Sequence, residues 1–153
     1  MTIPPTTQAD LNDLYTARDI SWISAIRRHA TMVPDAVAIE EGDVTLTWLE
    51  FYDRICSLAN ALAARGLSFG DRAMVVSGNS HKMLEYILAA QLCGALAVPV
   101  NFRCTVGELV YTATDARPSF VLSDANTMET VSEACKVVPH ELRHITLADH
   151  APE

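Results

Sequence analysis

The chain has 153 residues, half of them apolar, which is enough to bury a core but sets the scale at one domain or one lobe of a larger protein. With 11 Lys and Arg against 19 Asp and Glu, its formal charge is −8 and its sequence pI about 5. That balance argues against nonspecific binding to nucleic acid or to an anionic membrane, both of which need clustered cations.

The N-terminus, "MTIPPTTQADLNDLYTARD", carries neither the positive segment nor the apolar segment of a secretory leader. Residues 1–18 read as a flexible head and 19–153 as one lobe. No apolar run is long enough to span a bilayer, so no integral membrane segment is expected and the chain is assigned to the cytoplasm.

Ile20, Ile23 and Ile26, with Trp22 beside them, recur at helical spacing and predict a helix over 20–30, ending at "TMVPD". Arg27, Arg28 and His29 form the one basic cluster of the sequence and read as a solvated helix end. "AVAIE" and "VTLT" flank Glu41-Gly42-Asp43 and predict two short strands in a hairpin.

Thr47 followed by Glu50 is a capping box, in which the hydroxyl takes the N3 amide and the carboxylate returns to the cap amide. In the helix it opens, Trp48, Phe51, Tyr52, Ile55, Leu58, Ala59 and Leu62 form an apolar stripe. Glu50, Asp53, Arg54, Ser57, Asn60 and Arg65 fall on the opposite, solvated face. Gly66 stands where a left-handed residue ends a helix, Leu67 can pack back on the last turn, and Phe69-Gly70-Asp71 turns the chain. "RAMVVSG" then reads as a strand apolar on both faces, as in a covered parallel sheet.

The pattern repeats. Asn79 or Ser80 caps a helix over 81–92 that Gly94 ends, and "LAVPV" is a strand. Thr105 and Glu108 form a second capping box, whose helix closes near Ala116-Arg117-Pro118. "SFVLS" is a strand, "NTMETVSEACKVV" a helix stopped by Pro139, and "HITLA" a last strand. From Arg72 onward the order is β-α-β-α-β-α-β. The fold class is therefore α/β: a mainly parallel sheet flanked by helices, preceded by an N-terminal helix and a β-hairpin.

Several chemistries lack their motif. Gly66 and Gly70 precede a strand, whereas a phosphate-binding glycine turn opens a helix. No G-x-x-x-x-G-K-[ST] and no G-x-S-x-G occurs. Cys56, Cys93, Cys104 and Cys135 make no C-x-x-C and read as packed, reduced thiols. The five histidines have no zinc-ligand spacing, and no metal residue is assigned. Open α/β sheets bind ligands beyond the carboxyl ends of their strands, here Ser77-Gly78-Asn79, Asn101-Phe102-Arg103 and Ser123-Asp124. Asn101 and Arg103 are the candidate substrate-facing pair. The alternative is that Asn101 shapes the turn after Pro99 and that Arg103 pairs with a carboxylate such as Glu108.

The order of motifs resembles a known family. "PDAVAIEEGDVTLTWLEFYDRICSLANALAARGLSFGDRAMVVSGNS" and "AAQLCGALAVPVNFRCTVGELVYTATDARPSFVLSD" resemble the N-terminal part of the adenylate-forming acyl-CoA synthetases, the fatty-acid–CoA ligase-like enzymes. Residues 34–124 follow the family's order and spacing. They depart at His81-Lys82, where a glutamate is common, and at Cys104-Thr105-Val106-Gly107, where a leucine and a proline are common.

The resemblance implies an enzyme that uses ATP and Mg²⁺ to activate a carboxylic acid as an acyl-adenylate, then passes the acyl group to CoA. It implies a fatty acid as substrate. An aryl-acid or amino-acid adenylating enzyme is the alternative within the class, and a non-catalytic α/β interaction module the alternative outside it. The family's phosphate loop and its catalytic residues lie downstream of the matched stretch. No catalytic or cofactor-binding residue is therefore carried over, and the chain alone is expected to be inactive and to self-associate through surface that later segments would cover.

Overall fold

Residues 21–146 are described by the structure, a computed structural model, and the chain divides into two units, Met1–Tyr52 and Asp53–Glu153. The expected head at 1–18 and the last residues of "HITLA" lie outside the described residues.

The first described element of the first unit is helix α1, Trp22–Met32. Ser21 caps it: the Ser24 amide donates to Ser21 Oγ at 3.1 Å and the Ser21 amide to Ser24 Oγ at 3.0 Å. This reciprocal pair starts the helix two residues later than the spacing predicts. It leaves Trp22 exposed and Ile26 and Ala30 buried. Strands β1 (Val37–Glu41) and β2 (Val44–Thr47) form the expected antiparallel hairpin, with an irregularity between Val37 and Ile39.

Helix α2, Trp48–Ala64, opens in the first unit and runs into the second. Its capping box forms as read: the Glu50 amide donates to Thr47 Oγ1 at 3.2 Å and the Thr47 amide to Glu50 Oε2 at 2.8 Å. The bonds from the Thr47 amide and then the Thr47 hydroxyl hold the exposed Glu50 carboxyl below the usual carboxylate range. The helix ends in a Schellman motif. The Leu67 amide donates to the Leu62 carbonyl at 3.0 Å and the Gly66 amide to the Ala63 carbonyl at 2.9 Å, with Gly66 at φ 97°. Phe51, Ile55, Ala59 and Leu62 are buried, whereas Leu58 is only half-buried at the edge of the stripe.

One residue assigned to the solvated face is not there. Arg54 is partly covered and makes a two-pronged ion pair with the buried Glu85 of helix α3, His81–Leu92: Nε to Oε1 at 2.6 Å and Nη2 to Oε2 at 3.2 Å. A helical stripe read from one segment cannot show that a neighbouring helix will bring a carboxylate to its flank.

The second unit is built on strands β3 (Arg72–Val76), β4 (Leu96–Val100), β5 (Phe120–Ser123) and β6 (Arg143–Thr146). They pair in the order β4-β3-β5-β6, and every pairing is parallel. In the central strands β3 and β5, residues 73–76 and 120–123 are buried, as a sheet covered on both faces demands. Pro99 sits in edge strand β4, where its missing N–H interrupts no pairing inside the sheet.

On one face Met74, Val76 and Val121 pack with Leu109 and Ala113 of helix α4 (Val106–Ala116) and with Val131 and Ala134 of helix α5 (Met128–Cys135). The alternate residues Ala73, Val75, Phe120 and Leu122 are also fully buried and, by the period of two, point to the other face. Helix α5 is shorter than "NTMETVSEACKVV", because Asn126 and Thr127 are held in a turn by Asp124 instead of entering the helix.

All four cysteines are free and partly buried. Burial pushes the thiols of Cys93, Cys104 and Cys135 up, away from thiolate reactivity. No described helix is long and apolar enough to cross a membrane.

Candidate functional site

The three loops singled out by the strand order all lie at the carboxyl ends of parallel strands, and two are tied together by one side chain. The Asp124 carboxylate, just past β5, has five donor groups within hydrogen-bond distance. Its Oδ2 receives Ser77 Oγ at 2.9 Å and the Gly78 amide at 2.9 Å, both from the loop after β3. Its Oδ1 receives the amides of Asn126 and Thr127, each at 2.9 Å, and Thr127 Oγ1 at 3.0 Å. The Thr127 hydroxyl also lies 2.6 Å from the Val76 carbonyl oxygen, adding a second tie between the ends of β3 and β5. Burial works to raise the Asp124 carboxyl's pKa. The bonds from Gly78, Ser77 and Thr127 outweigh it and hold the group below the usual carboxylate range. Asp124 was legible as a loop residue but not as a hub, since its partners stand 46 and 47 positions away.

Next to it, Ser123 Oγ lies 2.7 Å from His144 Nε2 on β6, and burial pushes the His144 imidazole pKa down. Ser123 is fully buried, so this pair joins β5 to β6 inside the sheet and does not present a nucleophile.

The loop Ser77-Gly78-Asn79 forms one wall of an open hollow of about 600 Å³, and Pro99, Asn101, Phe102 and Arg103 form the other. A second hollow of about 500 Å³, lined by Cys104, Glu108, Tyr111 and Thr112, lies on the other side of the turn, and Asn101 and Arg103 border both. Between Asn79 and Ser80, the cap of α3 is Ser80, whose Oγ accepts from the Met83 amide at 3.3 Å. Asn79 is thereby left to the hollow's wall.

Asn101 also has a local task. Its Oδ1 accepts the Arg103 amide at 3.0 Å and its carbonyl oxygen the Cys104 amide at 3.0 Å, so it shapes the turn. Arg103 does not pair with Glu108. The Glu108 carboxylate receives the Thr105 amide and hydroxyl, at 2.8 and 2.9 Å, as the second capping box requires. The Arg103 guanidinium instead lies 5.1 Å from the centre of the exposed Phe102 ring. In the first unit, His29 of the basic cluster stacks on Trp48, with ring centres 4.6 Å apart. Among the described residues no three His, Cys, Asp or Glu side chains cluster in a way that could hold a metal ion.

Comparison with known proteins agrees with this architecture. Over 105 residues the chain is 37% identical to a feruloyl-CoA synthase of Amycolatopsis sp, covering 69% of this chain and 21% of that protein. It superposes with a TM-score of 0.79 and 28% identity on a protein of Rhodopseudomonas palustris assigned as a long-chain-fatty-acid CoA ligase, covering 89% of this chain and 35% of the other. It superposes with a TM-score of 0.68 and 26% identity on the O-succinylbenzoate CoA synthetase of Bacillus subtilis in complex with AMP, covering 79% and 30%. The chain thus spans between a fifth and about a third of the length of these relatives. Residues 26–153 match the sequence model of the AMP-binding enzymes, and the chain belongs to that family.

Proposed function

We propose that this chain is the N-terminal part of an ATP-dependent acid–CoA ligase, which converts a carboxylic acid, ATP and CoA to acyl-CoA, AMP and pyrophosphate. The observation that carries this reading is the family match over residues 26–153, together with an all-parallel sheet whose carboxyl-end loops form an open hollow. Residues 19–153 then act as one lobe of a larger cytoplasmic enzyme and supply mainly scaffold.

The chain's own contribution is to hold loops and to meet an anionic group. Asn101 shapes the turn that carries Arg103, and an exposed guanidinium beside a hollow suits a carboxylate or phosphate oxygen. ATP, CoA and the acid are all anionic, so Arg103 fits the substrates in charge. No residue of this chain is assigned to Mg²⁺, which in the whole enzyme would supply charge neutralisation at the phosphates.

For the acid, a fatty acid is the first reading, in keeping with the fold shared with the Rhodopseudomonas protein. An aryl acid is the second, favoured by the 37% identity to a feruloyl-CoA synthase. The test is to supply the intact enzyme containing this chain with ATP, Mg²⁺, CoA and a panel of fatty and aromatic acids, following pyrophosphate and the CoA thioester. A fatty acyl-CoA product supports the first reading and an aryl-CoA product the second. No thioester from any acid, in a protein that melts cooperatively, refutes the ligase. The 153-residue chain by itself is expected to release no pyrophosphate above a no-enzyme control.

A further inference from the structure

The hollow bordered by Arg103 has two walls, and each is shaped by a short polar side chain. Asn101 shapes its own turn. In the wall formed by Ser77-Gly78-Asn79 the Ser77 hydroxyl lies 3.1 Å from the Gly78 carbonyl oxygen, and Ser80 is used as the cap of α3. The bond to the Gly78 amide comes from across the sheet. We propose that Asp124 is a positioning residue for the Ser77–Gly78–Asn79 wall of this hollow, acting through the bonds its Oδ2 accepts from Ser77 Oγ and the Gly78 amide. As a statement about the ligase site, this rests on the function proposed above. As a statement about the loop, it stands on the geometry alone.

The geometry separates two tasks in one carboxylate. Oδ1 serves the turn before α5, receiving Asn126 and Thr127, and Oδ2 serves the loop after β3. A backbone N–H can only donate, so the atom facing Gly78 must be an acceptor. Gly78 also lies close: a β-carbon added there would stand 3.9 Å from Asp124 Oδ2. The Ser77 hydroxyl is a weaker witness, because it can turn to accept from whatever replaces the oxygen.

Asp124→Asn separates the tasks. Asparagine serves as well as aspartate before a helix, so its oxygen can keep the Thr127 amide. Its NH₂ group then faces the Gly78 N–H, donor against donor. The helix start is kept and the loop is released.

The experiment is solution NMR on the 153-residue chain. In the parent protein a through-hydrogen-bond coupling between the Gly78 amide nitrogen and the Asp124 carboxyl carbon is expected. In Asp124→Asn the Gly78 amide resonance should shift, while the Thr127 and Val131 amides stay near their parent positions. Gly78 should also exchange on the order of tenfold faster, after the change in the slowest β3 amides is divided out, as suits a lost bond to a charged acceptor. Either of two results overturns the proposal. One is absence of the coupling in the parent, in spectra that do show the couplings of the β3–β5 pairing, which decides the matter even if the variant does not fold. The other is Gly78 exchange that changes only in step with the β3 amides, with its resonance unmoved, which would make Asp124 a contributor to general stability alone. Neither result bears on whether the intact enzyme forms a CoA thioester, so the two readings fail separately.

Discussion

Replacing Arg54 by alanine tests the buried ion pair that joins α2 to α3. Glu85 keeps only 6% of its side chain exposed, and Arg54 keeps 31%. Both carboxylate oxygens of Glu85 are engaged by the guanidinium, through contacts of 2.6 and 3.2 Å. The Glu85 side-chain bond, opposed by burial, raises the arginine's already high pKa, so the guanidinium is charged at neutral pH. Removing the cation strands a carboxylate that water reaches poorly. Breaking a fully buried pair costs about 3–5 kcal/mol, and the partial exposure of Arg54 lowers the expectation to about 2–3 kcal/mol. For a unit of this size that is a fall in melting temperature of roughly 10 °C. Arg54→Lys should lose part of this amount, because an ammonium cannot reproduce the two-pronged fork. The double variant Arg54→Met with Glu85→Leu should recover most of it, since the desolvated charges are gone and the volume is kept. Chemical denaturation of the four proteins makes the comparison. An Arg54→Ala chain within about 0.5 kcal/mol of the parent would refute the reasoning, as would a double variant no better than the single one.

Further outcomes follow from the same structure. In α2, Ile55→Ala, at 0% exposure, should cost about 2–5 kcal/mol, and Thr47→Ala about 1 kcal/mol. Leu58→Ala should cost clearly less than Ile55→Ala, and equal costs in urea melts would mean the helix is rotated from its described phase. Asp124 has its folded pKa below its unfolded one. Its contribution to stability is therefore full above the ordinary aspartate value and is lost as the pH falls through the depressed one. Asp124→Asn should flatten the acid limb of a stability-versus-pH curve, and an unchanged limb would contradict this. Phe69 is 89% and Leu96 57% exposed, and the charge of −8 is screened beyond about 8 Å at physiological salt. The chain should therefore associate at micromolar concentration, and a single monomeric species across a sedimentation-velocity dilution series would count against it.

What the sequence determined by itself is local. The capping boxes at Thr47 and Thr105 and the Gly66 stop each depend on residues within a few positions of one another, and the structure forms them as read. The apolar runs 73–76 in β3 and 120–122 in β5 likewise announced strands covered on both faces. The order of these elements carried the family resemblance, because order and spacing survive where single residues vary.

What only the tertiary structure decided depends on partners far apart in the chain. Arg54 looked solvated until α3 placed Glu85 beside it, 31 positions on. Asp124 looked like a turn residue until the parallel pairing of β3 with β5 carried it to Gly78. The Arg103 contact with Phe102 was adjacent in sequence yet undecided by it, since the capping box and an ion pair compete for the same Glu108 carboxylate. Periodicity reports which face of an element is apolar. It does not report which polar group another element will bring to that face, because that is set by strand order and register.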